Sequence, residues 1–259
     1  MPDFLLALGI SVAVNLFFFA IAAWRKTDTV TDLSYGLSFV AVTAAMVAIK
    51  EVREPLRLAV ALFVLAWALR LAAHLFRRIL AVKVDHRFDG RREKITKFAA
   101  FWALQALSVA VVMLPALGVL SSPPPRPSAF HAAGAAVWLS GFAVETISDS
   151  QKWRWKRSGD EGFIRSGLWS WSRHPNYFGE MLLWWGIWVF ALPSLSGWGH
   201  LAVLGPLHIT WLLVALTGIP PLERRAQARF GDDPAYLEYK RRTSILVPLP
   251  PREGRGSES

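Results

Sequence analysis

Seven stretches of the chain are apolar for long enough to cross a bilayer, which takes about 20 residues. They cover approximately 4–24, 33–49, 56–80, 98–120, 129–147, 177–195 and 201–219. Polar residues fall singly inside them, and charges gather between them. The pattern predicts an all-α integral membrane protein with seven transmembrane helices. The first stretch contains Ala20-Ile21-Ala22, which resembles a leader cleavage site. However, its N-terminal flank carries Asp3 and no Lys or Arg, so it reads as a helix that stays. The outer turns, Ser121-Ser122-Pro123-Pro124-Pro125 and Ser194-Leu195-Ser196-Gly197, are short. After span seven, Glu223 to Phe230 and Pro234 to Arg241 read as two short amphipathic helices, ended by Val247-Pro248-Leu249-Pro250-Pro251. Residues 1–252 are therefore expected to form one membrane domain with a cytoplasmic C-terminal cap over 223–250. Residues 253–259 read as a disordered tail.

Composition agrees with the pattern. Hydrophobic residues make up 53% of the 259, charged residues only 19%, with 13 Trp and 16 Phe. That balance excludes a disordered chain, a coiled coil and an ordinary soluble domain. The absence of Cys excludes a disulfide framework, a thiol nucleophile and a thiolate metal site.

The net charge of +10 gains meaning from its distribution. Lys and Arg crowd the 1–2, 3–4 and 5–6 connections and the tail, whereas the other side holds Lys50, Arg53, Arg57 and Arg126. The positive-inside rule then places the N-terminus outside and the C-terminus in the cytoplasm. A nucleic-acid partner is excluded, because the charge is shared among loops beside membrane. No obligate protein partner is evident.

Several polar residues break the apolar pattern. Arg70 lies inside span three with His74 at i+4, and an ionisable residue within a span is by default a functional candidate. Asp32 and Tyr35 share a face at the start of span two. Taken singly they read as a helix-start acid and an interfacial anchor; on a basic side they read as an acid pair. Glu145 and Asp149 close span five one turn apart. Acids at a helix C-terminus oppose the macrodipole and imply a partner such as Lys152 or a ligand hydroxyl.

The densest segment is Ser172-Arg173-His174-Pro175-Asn176-Tyr177-Phe178-Gly179-Glu180. Pro175 suits the first turn of a helix, which puts Asn176, Glu180 and Trp184 on one face with Arg173 at its mouth. The tail adds Glu223, Tyr236 and Tyr239, more acidic and aromatic chemistry than an interfacial anchor requires. It reads equally as a lid over that mouth.

The 172–180 segment, the Trp184-Trp185-Gly186 after it, and Glu223, Tyr236, Tyr239 and Pro248 resemble the C-terminal half of the steroid 5α-reductase superfamily, in particular its bacterial branch. Sterol reductases and isoprenylcysteine carboxyl methyltransferases share this signature. The resemblance covers roughly Asp149 to Pro250 and extends weakly through Arg70 and Asp32. It implies seven transmembrane helices, an NADPH site built by the C-terminal half, and reduction of the Δ4 double bond of a 3-oxo steroid. Asn176 and Glu180 match the family's Asn and Glu in span six, and Asp149 matches its acid at the end of span five. Lys156 takes the place of a cofactor-binding Arg, and Arg70 resembles the Arg of span three. Arg173, His174, Glu223, Arg224, Tyr236 and Tyr239 complete the implied cofactor set. The family's catalytic Gln-Glu pair has its nearest match in Asp32 and Tyr35. Glu223-Arg224 stand where the steroid enzymes carry paired His, closer to the sterol-reductase pattern.

The chain has no Gly-x-Gly-x-x-Gly opening a strand–helix unit, so a dinucleotide must be held by side chains and helix ends. The leading expectation is an NADPH-dependent reductase of a carbon–carbon double bond conjugated to a ketone. Its lipophilic substrate would enter from the bilayer between spans one to four, and the nicotinamide would meet it near the level of Asp32 and Tyr35. The alternatives are an S-adenosylmethionine-dependent methyltransferase of a lipidic carboxylate and a non-catalytic sterol or lipid binder. Glu180 after Gly179, and Asn176 in place of a small residue, favour the reductase.

Overall fold

The computed structural model describes residues 2–25, 30–82 and 95–251. Of the basic residues expected between spans three and four, Lys83, Arg87, Arg91, Arg92 and Lys94 lie outside the described residues, as does the 253–259 tail, whereas Arg77 and Arg78 fall within the third helix and Lys97 within the fourth. Among those described, every regular element is helical. In chain order they are α1 (Pro2–Arg25), α2 (Thr31–Ile49), α3 (Pro55–Val82), α4 (Ile95–Val112), α5 (Leu114–Ser121), α6 (Ala129–Arg157), α7 (Pro175–Ala191), α8 (Leu204–Trp211), α9 (Ile219–Phe230) and α10 (Pro234–Arg242).

Three helical stretches are long and apolar enough to cross a membrane: Pro2–Trp24, Pro55–Arg77 and Gly197–Phe230. A fourth joins them if α4 and α5, bent by 46° at Met113, count as one span. Pro115 explains that bend, since it has no N–H to give to the turn behind it. The protein is thus an all-α membrane protein.

Proline and charge set the ends of the later helices. Pro175 opens α7, Pro220 and Pro221 lie in the first turn of α9, and Pro234 opens α10. At each place the missing N–H would have been unpaired anyway. Asp233 caps α10 by accepting a hydrogen bond from the Ala235 N–H at 2.8 Å. Lys240, Arg241 and Arg242 fill its last turn, where cations complement the helix dipole.

Two helices depart from the sequence pattern. α6 does not stop at Ile147 but continues to Arg157. Glu145 and Asp149 therefore lie inside a helix, and the expectation that they oppose a macrodipole at its end is corrected. The true last turn carries Arg154, Lys156 and Arg157, which match the dipole. The seventh apolar stretch changes winding three times: a 3₁₀ segment (Gly197–Val203), α8, then a π-helical turn (Leu212–Leu216) before α9. A run of uniformly apolar residues suits any of these spacings.

The chain divides into two compact units, Met1–Gly134 with Ile187–His208, and Ala135–Gly186 with Ile209–Ser259. In unit one, α2 packs on α3 and α1, and α1 packs on α4. Gly36 lets α2 approach α3, since a Cβ there would sit 2.9 Å from Ala72 Cβ. The helices are also joined through buried neutral groups. Gln105 of α4 donates to Asn15 Oδ1 of α1 and to Ser34 Oγ of α2, both at 2.8 Å, and Asn15 Nδ2 donates to Ser38 Oγ at 3.1 Å. Beyond the C-terminal end of α2, Lys50 pairs with Asp3 at 2.7 Å, and Arg57 pairs with Glu54 at 2.9 Å.

Unit two is built on a close crossing of α6 and α7. A Cβ on Gly179 would lie 2.6 Å from the Glu145 nitrogen and 2.7 Å from the Gly141 oxygen. One on Gly141 would lie 2.5 Å from the Leu183 nitrogen. Small residues that let two backbones touch are a typical way to join helices in a membrane, where apolar burial alone cannot hold them.

Candidate functional site

The site grows out of the segment between α6 and α7. Beyond α6 the chain turns at Gly159, in the left-handed region at φ 78°, and Asp160 Oδ1 accepts from the Gly162 N–H at 2.7 Å. A short 3₁₀ turn (Gly167–Ser170) then buries Trp169, whose indole N–H donates to the Ser148 carbonyl at 3.1 Å. Lys152 lies over the same ring, 4.5 Å from its centroid, a cation–π contact.

The tail returns to this segment and is bonded to it along its length. Tyr239 donates its hydroxyl to the Trp169 carbonyl at 2.7 Å. The Arg173 N–H donates to the Ser244 carbonyl at 2.8 Å, and Ser172 Oγ to the Leu246 carbonyl at 2.7 Å. The Leu249 N–H donates to the Trp171 carbonyl at 3.2 Å. Phe163 inserts between Phe230, Tyr236 and Tyr239, with ring centroids 5.2–5.6 Å apart. Residues 160–174 and 223–249 are thus one folded piece within unit two.

At its centre are three polar side chains. Glu223, on α9, accepts from Arg173 Nη1 with one carboxylate oxygen and pairs with His174 Nε2 through the other at 2.8 Å. His174 is also held from behind, since its backbone N–H donates to Ser172 Oγ at 3.1 Å. Its ring stacks on Tyr177 with centroids 5.7 Å apart. Burial pushes the His174 pKa below the usual imidazole value, against the pull of the Glu223 carboxylate. The imidazole is therefore neutral near pH 7 and donates Nε2–H to Glu223 as a hydrogen bond. Burial raises the pKa of both Tyr236 and Tyr239, so both stay phenols. Lys152 acts electrostatically on His174, and Lys240 on Glu223.

Of the residues singled out from sequence, Arg173, His174, Glu223, Tyr236 and Tyr239 are brought together here. Asn176 lies half-buried in the first turn of α7, and Glu180 is buried one turn on. Asp149 is buried on α6, Lys156 is exposed near its end, and Arg224 is exposed on α9. All of these belong to unit two. Tyr35 and Arg70 belong to unit one, both half-buried. Tyr35 packs edge-on against Phe39 with centroids 5.1 Å apart. Asp32 falls in the first turn of α2, and its side chain lies outside the described residues.

Some participants had not been singled out. Ser172 had been read only as part of a motif, yet its hydroxyl ties both the tail and the His174 backbone. Phe163 gave no signal beyond being apolar. Asn15 and Gln105 were legible, because a polar amide within an apolar span is costly for the same reason as Arg70.

Residues 18–243 match the family described as a protein of unknown function (DUF1295), and the chain belongs to that family. No curated protein and no solved structure matches it.

Proposed function

We propose that the protein is a membrane-embedded, NADPH-dependent reductase of a carbon–carbon double bond conjugated to a ketone, acting on a lipophilic, steroid-like substrate. In this reading it is related to the steroid 5α-reductase superfamily. It has seven spans in a bacterial inner membrane, with the N-terminus outside and the C-terminus forming a cytoplasmic cap. The observation that carries the proposal is the return of the tail onto the 172–180 segment, which gathers Arg173, His174, Glu223, Tyr236 and Tyr239. An interfacial anchor has no need of that constellation.

The donors present fit a dinucleotide. Arg173 keeps a buried Nε–H with no hydrogen-bond partner among the described residues. Lys152 and Lys240 add positive charge suited to phosphates, and Asn176 adds a neutral amide. When bound, NADPH would supply the hydride. The chain's own part is to hold the phosphates through Arg173 and the neighbouring lysines, and to orient the remainder through Asn176, Glu180 and Tyr236. Reduction of an enone builds negative charge on the carbonyl oxygen, and a placed hydrogen-bond donor stabilises it. We assign Tyr35 as that donor, with Asp32 either orienting it or, when protonated, donating itself. A Tyr beside a protonated Asp plays this part in the ketosteroid isomerase example.

The test is binding of NADPH, NADH and S-adenosylmethionine to purified protein. NADPH is expected to bind, with Asn176→Ala and Glu180→Ala each weakening it by roughly 1–3 kcal/mol, the scale of a lost hydrogen bond. Wild-type affinity in both variants would move the cofactor elsewhere. Binding of S-adenosylmethionine instead would favour the methyltransferase. Tyr35→Phe keeps the packing and removes only the hydroxyl. Turnover of a Δ4-3-oxo steroid should fall by about 10²–10³ with NADPH binding intact; unchanged turnover removes Tyr35 from the reaction.

A further inference from the structure

Glu223 is an unexpected neighbour for a phosphate-binding cluster. A carboxylate and a phosphate compete for the same donors, because both are anions whose paired oxygens match a guanidinium fork. Here the carboxylate already has them: one oxygen takes Arg173 Nη1 and the other takes His174 Nε2. We propose that Glu223 is an internal latch. Its carboxylate stands where a phosphate group of an incoming ligand would bind, and it must withdraw before such a ligand is held. The proposal rests on the reading of this cluster as the place that receives the cofactor's phosphates.

Three observations carry it. First, the donors are held by main-chain bonds and the acceptor only through side chains. Arg173 and His174 are held through their backbones by Ser244 and Ser172. Glu223 rides on α9, which is tied to the 160–174 segment through side chains, Arg229 donating to the Glu161 carbonyl and Phe230 packing on Phe163. Second, the three side chains differ in access. Arg173 and His174 keep 12% and 7% of their side-chain surface in contact with solvent, and Glu223 keeps 20%, so the acceptor has the shortest way out.

Third, one carboxylate faces several cations. Arg173 contacts it, Lys240 acts on it through space, and Lys152 acts on the His174 beside it. A phosphate that displaced the carboxylate would meet the same cations. The way in which α9 joins the chain suits such a movement. It follows the π-helical turn Leu212–Leu216 and Gly218, whose φ and ψ are both −93°. Departures of this kind from regular winding recur at functional sites.

The latch makes Glu223 an opponent of anion binding, not a contributor to it. Inorganic pyrophosphate is the probe, titrated calorimetrically into the purified full-length protein, with NADPH titrated in parallel. Glu223→Gln keeps the shape and removes the charge. It should bind pyrophosphate roughly tenfold more tightly than wild type, the scale of one charge-assisted hydrogen bond no longer competed away. Arg173→Gln should lose the binding. Glu238→Gln removes an equal charge from exposed α10 and should change nothing.

Equal or weaker pyrophosphate binding by Glu223→Gln, binding by neither protein, or an equal gain in Glu238→Gln would each overturn the latch. If Glu223→Gln does not yield folded protein, Glu223→Asp retracts the carboxylate by one methylene and should show a smaller gain; no gain rejects the proposal. A pyrophosphate gain without NADPH binding to any form would leave the latch standing and remove the NADPH reading.

Discussion

Unit one buries Asn15, Ser34, Ser38 and Gln105, all neutral, and bonds them to one another across three helices, and its buried Arg57 is paired with Glu54. Unit two buries Glu145, Asp149, Glu180 and His174, and keeps the Arg173–Glu223 pair nearly enclosed. The two kinds of polarity differ greatly in cost. A neutral amide that finds its partners inside a membrane protein costs little and joins helices modestly. A buried charge is expensive, and even a good ion pair barely recovers the loss of water. Neutral networks therefore suit architecture, and concentrated charge needs a further reason. Ligand chemistry supplies one, so the cofactor reading falls on unit two, while the proposed proton donor Tyr35 belongs to unit one.

The largest expected effect tests that assignment directly. A chain ending after Ile219 loses α9, α10 and the 243–249 segment that holds Arg173 and Ser172. It should insert in the membrane and bind no NADPH; retained binding would show that the tail is architecture after all. A smaller effect should follow from forcing apart the helices under the site. Gly179→Leu places a Cβ 2.6 Å from the Glu145 nitrogen, so α6 and α7 must separate. Overpacking of this kind typically costs about 1–3 kcal/mol, readable as a lower unfolding midpoint in detergent, and NADPH binding should weaken with it. Gly9→Leu is the control, since nothing lies within 4 Å of a Cβ there. An unshifted midpoint in Gly179→Leu would mean the crossing is looser than its backbone contacts imply.

The smallest effect belongs to unit one. Gln105→Leu removes the bonds to Asn15 and Ser34, and hydrogen bonds between membrane helices are worth about 0.6 kcal/mol each on average. Thermal stability should drop slightly while NADPH affinity stays at the wild-type value. A clear loss of affinity would break the division between a unit that holds the cofactor and one that does not.

Much of the architecture was legible because hydropathy reports where a chain meets lipid. It located α1, α2 and α3 to within a few residues. It misplaced the end of α6 because a helix does not stop where the membrane does. From Ser148 onward the residues are polar, yet they remain good helix formers and finish on three cations. The winding changes in 197–216 left no trace, since a stretch apolar on all sides satisfies helices of three, 3.6 or more residues per turn alike. At the site, the 172–180 segment announced itself by composition. Its pairing with Glu223 did not, because a contact across some fifty positions depends on how the tail folds and not on local spacing.

The bonds from Ser244, Leu246 and Leu249 to the 171–173 turn also fix an order of events during synthesis. Arg173 and His174 leave the ribosome well before the carbonyls that hold them. Until the last of those residues is made, the helices are able to insert while the binding groups wait unassembled. The 171–173 turn can be bonded in this way only after residues 244–249 have been made, later than every helix before them.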